Sequence, residues 1–315
     1  MTFTGRILGL TGKKREKKTV EKQVMRRFPL RLMNVVNLSR YPIHEALSTR
    51  KPNFADTARD DLANTGIAVF PSFINSEALA SIVRDVKARS HLAHSTDDTH
   101  DAYQAKGMDP LLPPQHVRNM KMRTQQKCLA YADIPKHSML RQLYEWDKMS
   151  EFISHVVGKP LHPLADPLGA CSVNVFQPGQ SHAWHFDETE YTMTLCLQDD
   201  EDPEGGRFEY TRPLRTSNTQ YPHEAVRRII TATTEYTPTV LPSEQGTCEE
   251  ASARIYTSSF PPGTLQLFAG RYSLHRVTKV LGSRDRLVAV LCYAPETNFM
   301  NSPEVQKMFW GRVEQ

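Results

Sequence analysis

The chain has 315 residues, of which 23% are charged and 39% hydrophobic, with 21 Pro and 15 Gly. That is enough chain for a sizeable core, and the composition excludes collagen-like, wholly disordered and disulfide-scaffold classes. The net charge of +4 is unevenly held: residues 1–27 carry nine Lys and Arg against Glu16 and Glu21, a surplus of seven that leaves −3 on the remainder. A nucleic-acid enzyme is expected to carry its basic surplus on the folded body, so no nucleic-acid partner is expected.

In chain order, residues 1–28 read as a basic, disordered tail. The run Lys13-Lys14-Arg15-Glu16-Lys17-Lys18 mixes charges and lacks the apolar stretch of a secretory signal. Five cysteines (Cys128, Cys171, Cys196, Cys248, Cys292) are odd in number and never paired as CxxC. This favours a reducing, cytoplasmic setting, with a mitochondrial or nuclear address left open. No uncharged apolar run approaches the roughly 18 residues of a membrane span, so no membrane association is expected.

Residues 29–168 read as a helical part packing on the barrel. A short helix at Asp56–Leu62 leads into a buried strand at Gly66–Phe70. Asn75-Ser76-Glu77 caps a helix bearing Leu79, Ile82, Val83 and Val86. Residues 90–120, polar and rich in His, Asp and Pro, read as a long loop. Ser138 caps a helical stretch running to Val157, stopped by Gly158-Lys159-Pro160.

From residue 169 to 315 the period changes to two. Cys171–Phe176, Tyr191–Leu197, Arg207–Tyr210, Leu265–Phe268, His275–Val280 and Arg286–Tyr293 read as strands separated by turn residues. Residues 211–259, with one helix near Glu224–Thr234, interrupt the series as an insertion or lid, and a C-terminal helix follows the last strand. The fold class is α+β, a double-stranded β-helix (jelly-roll, cupin-like) with flanking helices.

The sharpest motif is Trp184-His185-Phe186-Asp187. In an extended strand residues i and i+2 share a face, so His185 and Asp187 converge while Phe186 packs behind. They supply two of the three ligands of a facial triad, and His275 is the one histidine on a late alternating strand. Two His and one carboxylate, with positions left open, is the pattern of non-haem Fe(II) oxygenases. Arg286, opening the last strand, is an inward guanidinium that needs an anion. Asn174 is a polar residue on an inward face.

The run from Gly169 to Tyr293 resembles the Fe(II)/2-oxoglutarate-dependent dioxygenase superfamily. The order is HxD, Gly205-Gly206-Arg207-Phe208, a Pro-Gly-x-Leu strand, His275, then Arg286. Three runs look like the branch of free-amino-acid hydroxylases and lysine radical halogenases. They are Gly-Gly-Arg-Phe-Glu-Tyr from Gly205, Leu-Phe-Ala-Gly-Arg-Tyr-Ser-Leu-His-Arg-Val-Thr from Leu267, and Arg-Leu-Val-Ala-Val-Leu-Cys-Tyr from Arg286. The likeness extends upstream through Leu129-Ala130-Tyr131-Ala132-Asp133-Ile134-Pro135, covering most of the chain after residue 40. The resemblance implies that His185, Asp187 and His275 hold Fe(II), and that Arg286 holds the far carboxylate of the cosubstrate 2-oxoglutarate, with O2 as oxidant and Asn174 touching the cosubstrate or a metal-bound water. It also implies that His182 and Glu188 face a substrate amine and that Arg123 clamps a substrate carboxylate.

One departure bears on the reaction. The halogenases have a small residue where this chain has Asp187, so the resemblance implies hydroxylation or desaturation of a small amine-bearing molecule, a free amino acid or a secondary-metabolite intermediate. Two alternatives stand beside it. An oxygenase acting on a protein or nucleic acid would need an open groove with a basic or aromatic rim. A non-catalytic binding barrel would be expected to lose a ligand or the arginine.

Overall fold

The computed structural model describes residues 35–48, 51–216, 221–233 and 254–314. The expected basic tail at 1–28, much of the expected lid within 211–259, and Cys248 fall outside the described residues; the four described cysteines are free. No helix among the described residues is long and apolar enough to cross a membrane.

After α1 (Ile43–Ser48), Asn53 starts α2 (Phe54–Thr65) through a capping box. Its side chain accepts from the Ala55 N–H, and Asp56 accepts from the Asn53 N–H at 3.0 Å. This cap lengthens the helix beyond the expected 56–62. Gly66 ends it at φ +83°, a left-handed position that favours glycine, and the chain enters β1 (Ile67–Phe70). α3 (Ser76–Arg89) follows. The expected helix from Ser138 to Val157 is two: α4 (Met139–Tyr144) and α5 (Asp147–Val157), separated where Trp146 takes an extended conformation and starts the second. Gly158, left-handed, ends α5.

The remaining strands are β2 (His94–His100), β3 (Met122–Leu129), β4 (His162–Pro163), β5 (Cys171–Phe176), β6 (His182–His185), β7 (Thr192–Gln198), β8 (Phe208–Thr211), β9 (Ile255–Thr257), β10 (Leu265–Phe268), β11 (His275–Val277) and β12 (Arg286–Ala294). α6 (His223–Thr233) lies between β8 and β9, and α7 (Pro303–Trp310) follows β12. They form two antiparallel sheets. The larger has the order β1-β10-β7-β12-β5-β3-β2, with β4 on β12; the smaller has the order β6-β11-β8-β9. The fold is a double-stranded β-helix with flanking helices, and among the described residues its two sheets do not merge into a closed barrel.

The first half is less purely helical than expected, because β1, β2 and β3 all join the larger sheet. β2 lies inside the stretch that reads as a loop. Its sequence, His-Ser-Thr-Asp-Asp-Thr-His, has no aliphatic residue; as an edge strand it buries Thr96 and His100 instead. Hydrophobic periodicity therefore carries no trace of it.

Strand alternation sorts the larger sheet into two faces. Val173, Val175, Leu195, Leu197, Leu287, Ala289 and Leu291 belong to the main apolar core with the helices. Phe54, Phe70 and Phe73 pack on Phe152 there, with ring centroids 5.7, 5.3 and 6.3 Å away. Ser172, Asn174, Thr192, Thr194, Arg286, Val288 and Val290 instead line a cavity shared with the smaller sheet. With both faces covered, β12 is a nearly continuous buried run.

Candidate active site

β6 and β11 are neighbours in the smaller sheet, with His185 and His275 as register partners. Each imidazole is fixed in the same way. Nδ1 donates to the carbonyl two residues earlier, Ala183 at 2.8 Å and Ser273 at 3.0 Å. This leaves both Nε2 atoms as lone-pair donors. They approach one oxygen, Asp187 Oδ1, at 3.4 and 3.3 Å. The other oxygen of Asp187 accepts from the Thr192 hydroxyl at 2.7 Å. The candidate ligand atoms of the three residues lie within 4.8 Å of one another.

Asp187 reaches this point by a different route from the expected one. β6 ends at His185, so strand alternation does not place the carboxylate. Instead the Phe186 N–H donates to the Ala102 carbonyl and the Asp187 N–H to the Gly270 carbonyl. The carboxylate then lies over Gly270, where a Cβ would come within 1.9 Å of Oδ2. Phe186 packs behind, stacked on Tyr103 and clustered with Trp184.

Burial, reinforced by the nearby His275, pushes the His185 imidazole down to about 4, so the ring is neutral near pH 7. Burial would raise the Asp187 carboxyl, but the facing imidazoles, His275 foremost, hold it well below the usual carboxylate range. The Asp187 carboxylate and the two Nε2 atoms converge as a donor set that suits a cation. His182 stacks on His185 at 3.9 Å, and its own pKa is lowered chiefly by burial.

The cavity measures about 190 Å³. Arg286 lines it from the start of β12, opposite Phe176, and is 2% exposed. Its Nε has no hydrogen-bond partner, and the nearest carboxylate oxygen, on Asp199, is 3.6 Å away. Burial lowers its pKa. Gly206 makes room for this side chain: at its φ of +58° a Cβ would come within 2.7 Å of Arg286 Cδ. Arg284, by contrast, is half exposed and pairs with Glu201.

Asn174, His182 and Glu188 also line the cavity. Asn174 Oδ1 accepts from the Cys128 thiol at 3.2 Å. Arg123 does not join them. Thr124, Gln126 and Cys128 take the buried positions of β3, so Arg123 alternates outward, where it forks onto Asp97 at 2.8 and 2.7 Å. The expected carboxylate clamp is therefore absent from that position. Trp184 is fully buried and donates to Thr233, while Arg276 lies over its ring and pairs with Glu209, away from the metal-facing atoms. Through Val226, Ile229 and Ile230, α6 packs in the Trp184 cluster; none of its described residues lines the cavity.

Thr192, Gly270, Gln126 and Trp310 escape the sequence reading. The alternation of Thr192 and Thr194 is the available signal for the first of these. The others depend on contacts between segments distant in sequence.

A family model described as Halogenase D matches residues 49–310. No curated protein matches. Among solved structures, the non-heme alpha ketoglutarate dependent epimerase SnoN from nogalamycin biosynthesis is 12% identical, with TM-score 0.49, over 77% of this chain and 81% of that one. HygX from Streptomyces hygroscopicus, with nickel, 2-oxoglutarate and hygromycin B bound, is 13% identical, with TM-score 0.49, over 77% and 89%. A prolyl-4-hydroxylase from Pseudomonas putida is 12% identical, with TM-score 0.44, over 76% and 96%.

Proposed function

The chain belongs to the Halogenase D family and is an Fe(II)- and 2-oxoglutarate-dependent oxygenase; from that premise we propose that it hydroxylates or desaturates a small amine-bearing substrate, a free amino acid or a metabolite intermediate. The observation that carries this reading is the presence of Asp187 among the converging ligand atoms.

His185, Asp187 and His275 would hold the iron. Arg286, buried with an unpartnered Nε, would take the far carboxylate of 2-oxoglutarate, whose planar ends suit its fork. Bound there, Fe(II) would activate O2, the oxidant, with 2-oxoglutarate as the two-electron reductant that leaves as succinate and CO2. The chain's own residues do the rest. Thr192 holds one Asp187 oxygen and keeps the other for the metal. The carbonyls of Ala183 and Ser273 orient the two imidazoles. Glu188 at the cavity wall attracts a substrate ammonium. Because Asp187 fills the position that a halogenase leaves to chloride, halogenation is not the outcome proposed.

The test is succinate release with Fe(II), 2-oxoglutarate and a panel of amine-bearing small molecules, with products read by mass. Gain of one oxygen or loss of two hydrogens is expected at any chloride concentration. A chlorinated product from the unmodified enzyme would overturn the reading of Asp187.

A further inference from the structure

β6 ends at His185, so the peptide group joining Phe186 to Asp187 is what aims the carboxylate. That group is held at both edges. Its N–H donates to the Gly270 carbonyl at 3.1 Å, and its carbonyl accepts from the side-chain amide of Gln104 at 2.8 Å. The N–H and C=O of a trans peptide point in opposite directions, so the two bonds together oppose rotation of its plane. Phe186 is gripped again one peptide earlier: its N–H donates to the Ala102 carbonyl at 2.9 Å, and its ring stacks on Tyr103. Three successive residues of the loop after β2, Ala102, Tyr103 and Gln104, thus meet the one residue that separates two of the converging ligands.

Gln104 makes its bond from an unfavourable backbone. At φ +65° it is, with Ser72, one of two residues other than glycine in the left-handed region among the described residues, a conformation that a Cβ disfavours. The loop does not need the Gln104 side chain to hold this shape. Asp101, 1% exposed, accepts from the Tyr103 and Ala105 N–H groups through one oxygen, at 2.8 and 3.0 Å, and from the Lys121 ammonium through the other, at 3.1 Å. The Gln104 N–H donates to the Asp101 carbonyl and the Asp101 N–H to the Ala105 carbonyl, both at 3.0 Å. A glycine would adopt the same turn with less strain. What glycine lacks is the amide that reaches Phe186. Strain retained at such a point goes with function.

We infer that Gln104 is a positioning residue of the iron site: its amide fixes the plane of the Phe186–Asp187 peptide and, through it, the aim of Asp187 Oδ1 at the metal. Thr192 steadies the far end of the same side chain; Gln104 steadies its root. This rests on the oxygenase reading above and adds to it a residue that acts through Asp187.

The experiment compares the full chain with Gln104→Gly and Gln104→Met. The first removes the amide and the backbone strain together; the second removes the amide and keeps the strain. Each protein is read three ways: thermal unfolding without metal, anaerobic Fe(II) titration in the presence of 2-oxoglutarate, and the visible absorption band of the loaded complex. Both variants should bind Fe(II) about tenfold more weakly, the lower end of the range for losing the support behind a metal ligand, and their band should shift. The metal-free Tm should hold in Gln104→Met and hold or rise in Gln104→Gly, where the left-handed backbone is relieved. A residue that merely tied the loop down would do the reverse, lowering the metal-free Tm and leaving affinity and band in place. That pattern, or unaltered Fe(II) affinity and band in both variants, would overturn the inference. If the unmodified chain binds no Fe(II), the oxygenase reading fails instead.

Discussion

The two faces of the larger sheet follow opposite rules, although their residues alternate along the same strands. On the helix-packed face, β12 contributes Leu287, Ala289 and Leu291 to a continuous apolar core. On the cavity face, the same strand contributes Arg286, Val288 and Val290, and its neighbours add Asn174, Ser172, Thr192 and Thr194. One face gains stability from close packing. The other keeps polar groups out of water with some of them unpaired, which is tolerable where a ligand completes them. Adjacent positions should therefore fail in different ways when changed.

The largest expected effect is at the metal-facing atoms. Asp187→Gly should reduce succinate release to background while leaving thermal unfolding nearly unchanged, because the lost carboxylate packs no core residue. Chloride should not restore activity, since Glu188 opposes an anion at the vacated position. A large fall in Tm would make Asp187 a structural residue and blur the contrast between the faces.

Next comes a pair of substitutions on one strand. Leu291→Ala should lower unfolding stability by about 2–5 kcal/mol, the range for a buried leucine, with turnover per folded molecule retained. Arg286→Ala should weaken 2-oxoglutarate binding by about 2–5 kcal/mol, the range for truncating one partner of a buried charge pair. Denaturant titration and cosubstrate titration of both variants would separate the faces, and exchanged outcomes would break the distinction.

Thr192→Val probes the support behind a ligand. Losing its hydrogen bond to Asp187 should weaken Fe(II) binding about 10–100-fold, measured by anaerobic metal titration. The smallest effect should come from Arg123→Ala. Its exposed pairing with Asp97 lies outside the cavity, so half-saturation by substrate should not change. A marked rise would return Arg123 to the site.

The cavity face is partly legible in the sequence because strand period is a local signal. The strands from Cys171, Leu265 and Arg286 begin where alternation says they should, and Thr192 and Thr194 share a face as their spacing requires. β2 is not legible, since an edge strand stabilised by Thr96 and His100 has no apolar pattern to read. The break at Trp146 is hidden because the helices on either side both turn apolar residues toward the core. At the site, the HxD spacing points to two residues whose ligand atoms converge, but through an incomplete argument. Asp187 is held by Gly270 and Thr192, which neither motif spacing nor composition brings together. Motif likeness misplaces Arg123 because it carries no information about which side of β3 faces inward.

The central claim is that His185, Asp187 and His275 together make one iron site on the cavity side. Anaerobic Fe(II) titration of the full chain in the presence of 2-oxoglutarate tests it most directly, with His275→Ala as the comparison. The account predicts one Fe(II) bound per chain, a visible absorption band that requires 2-oxoglutarate, and loss of both in His275→Ala. Undiminished Fe(II) binding and an unchanged band in that variant would contradict it.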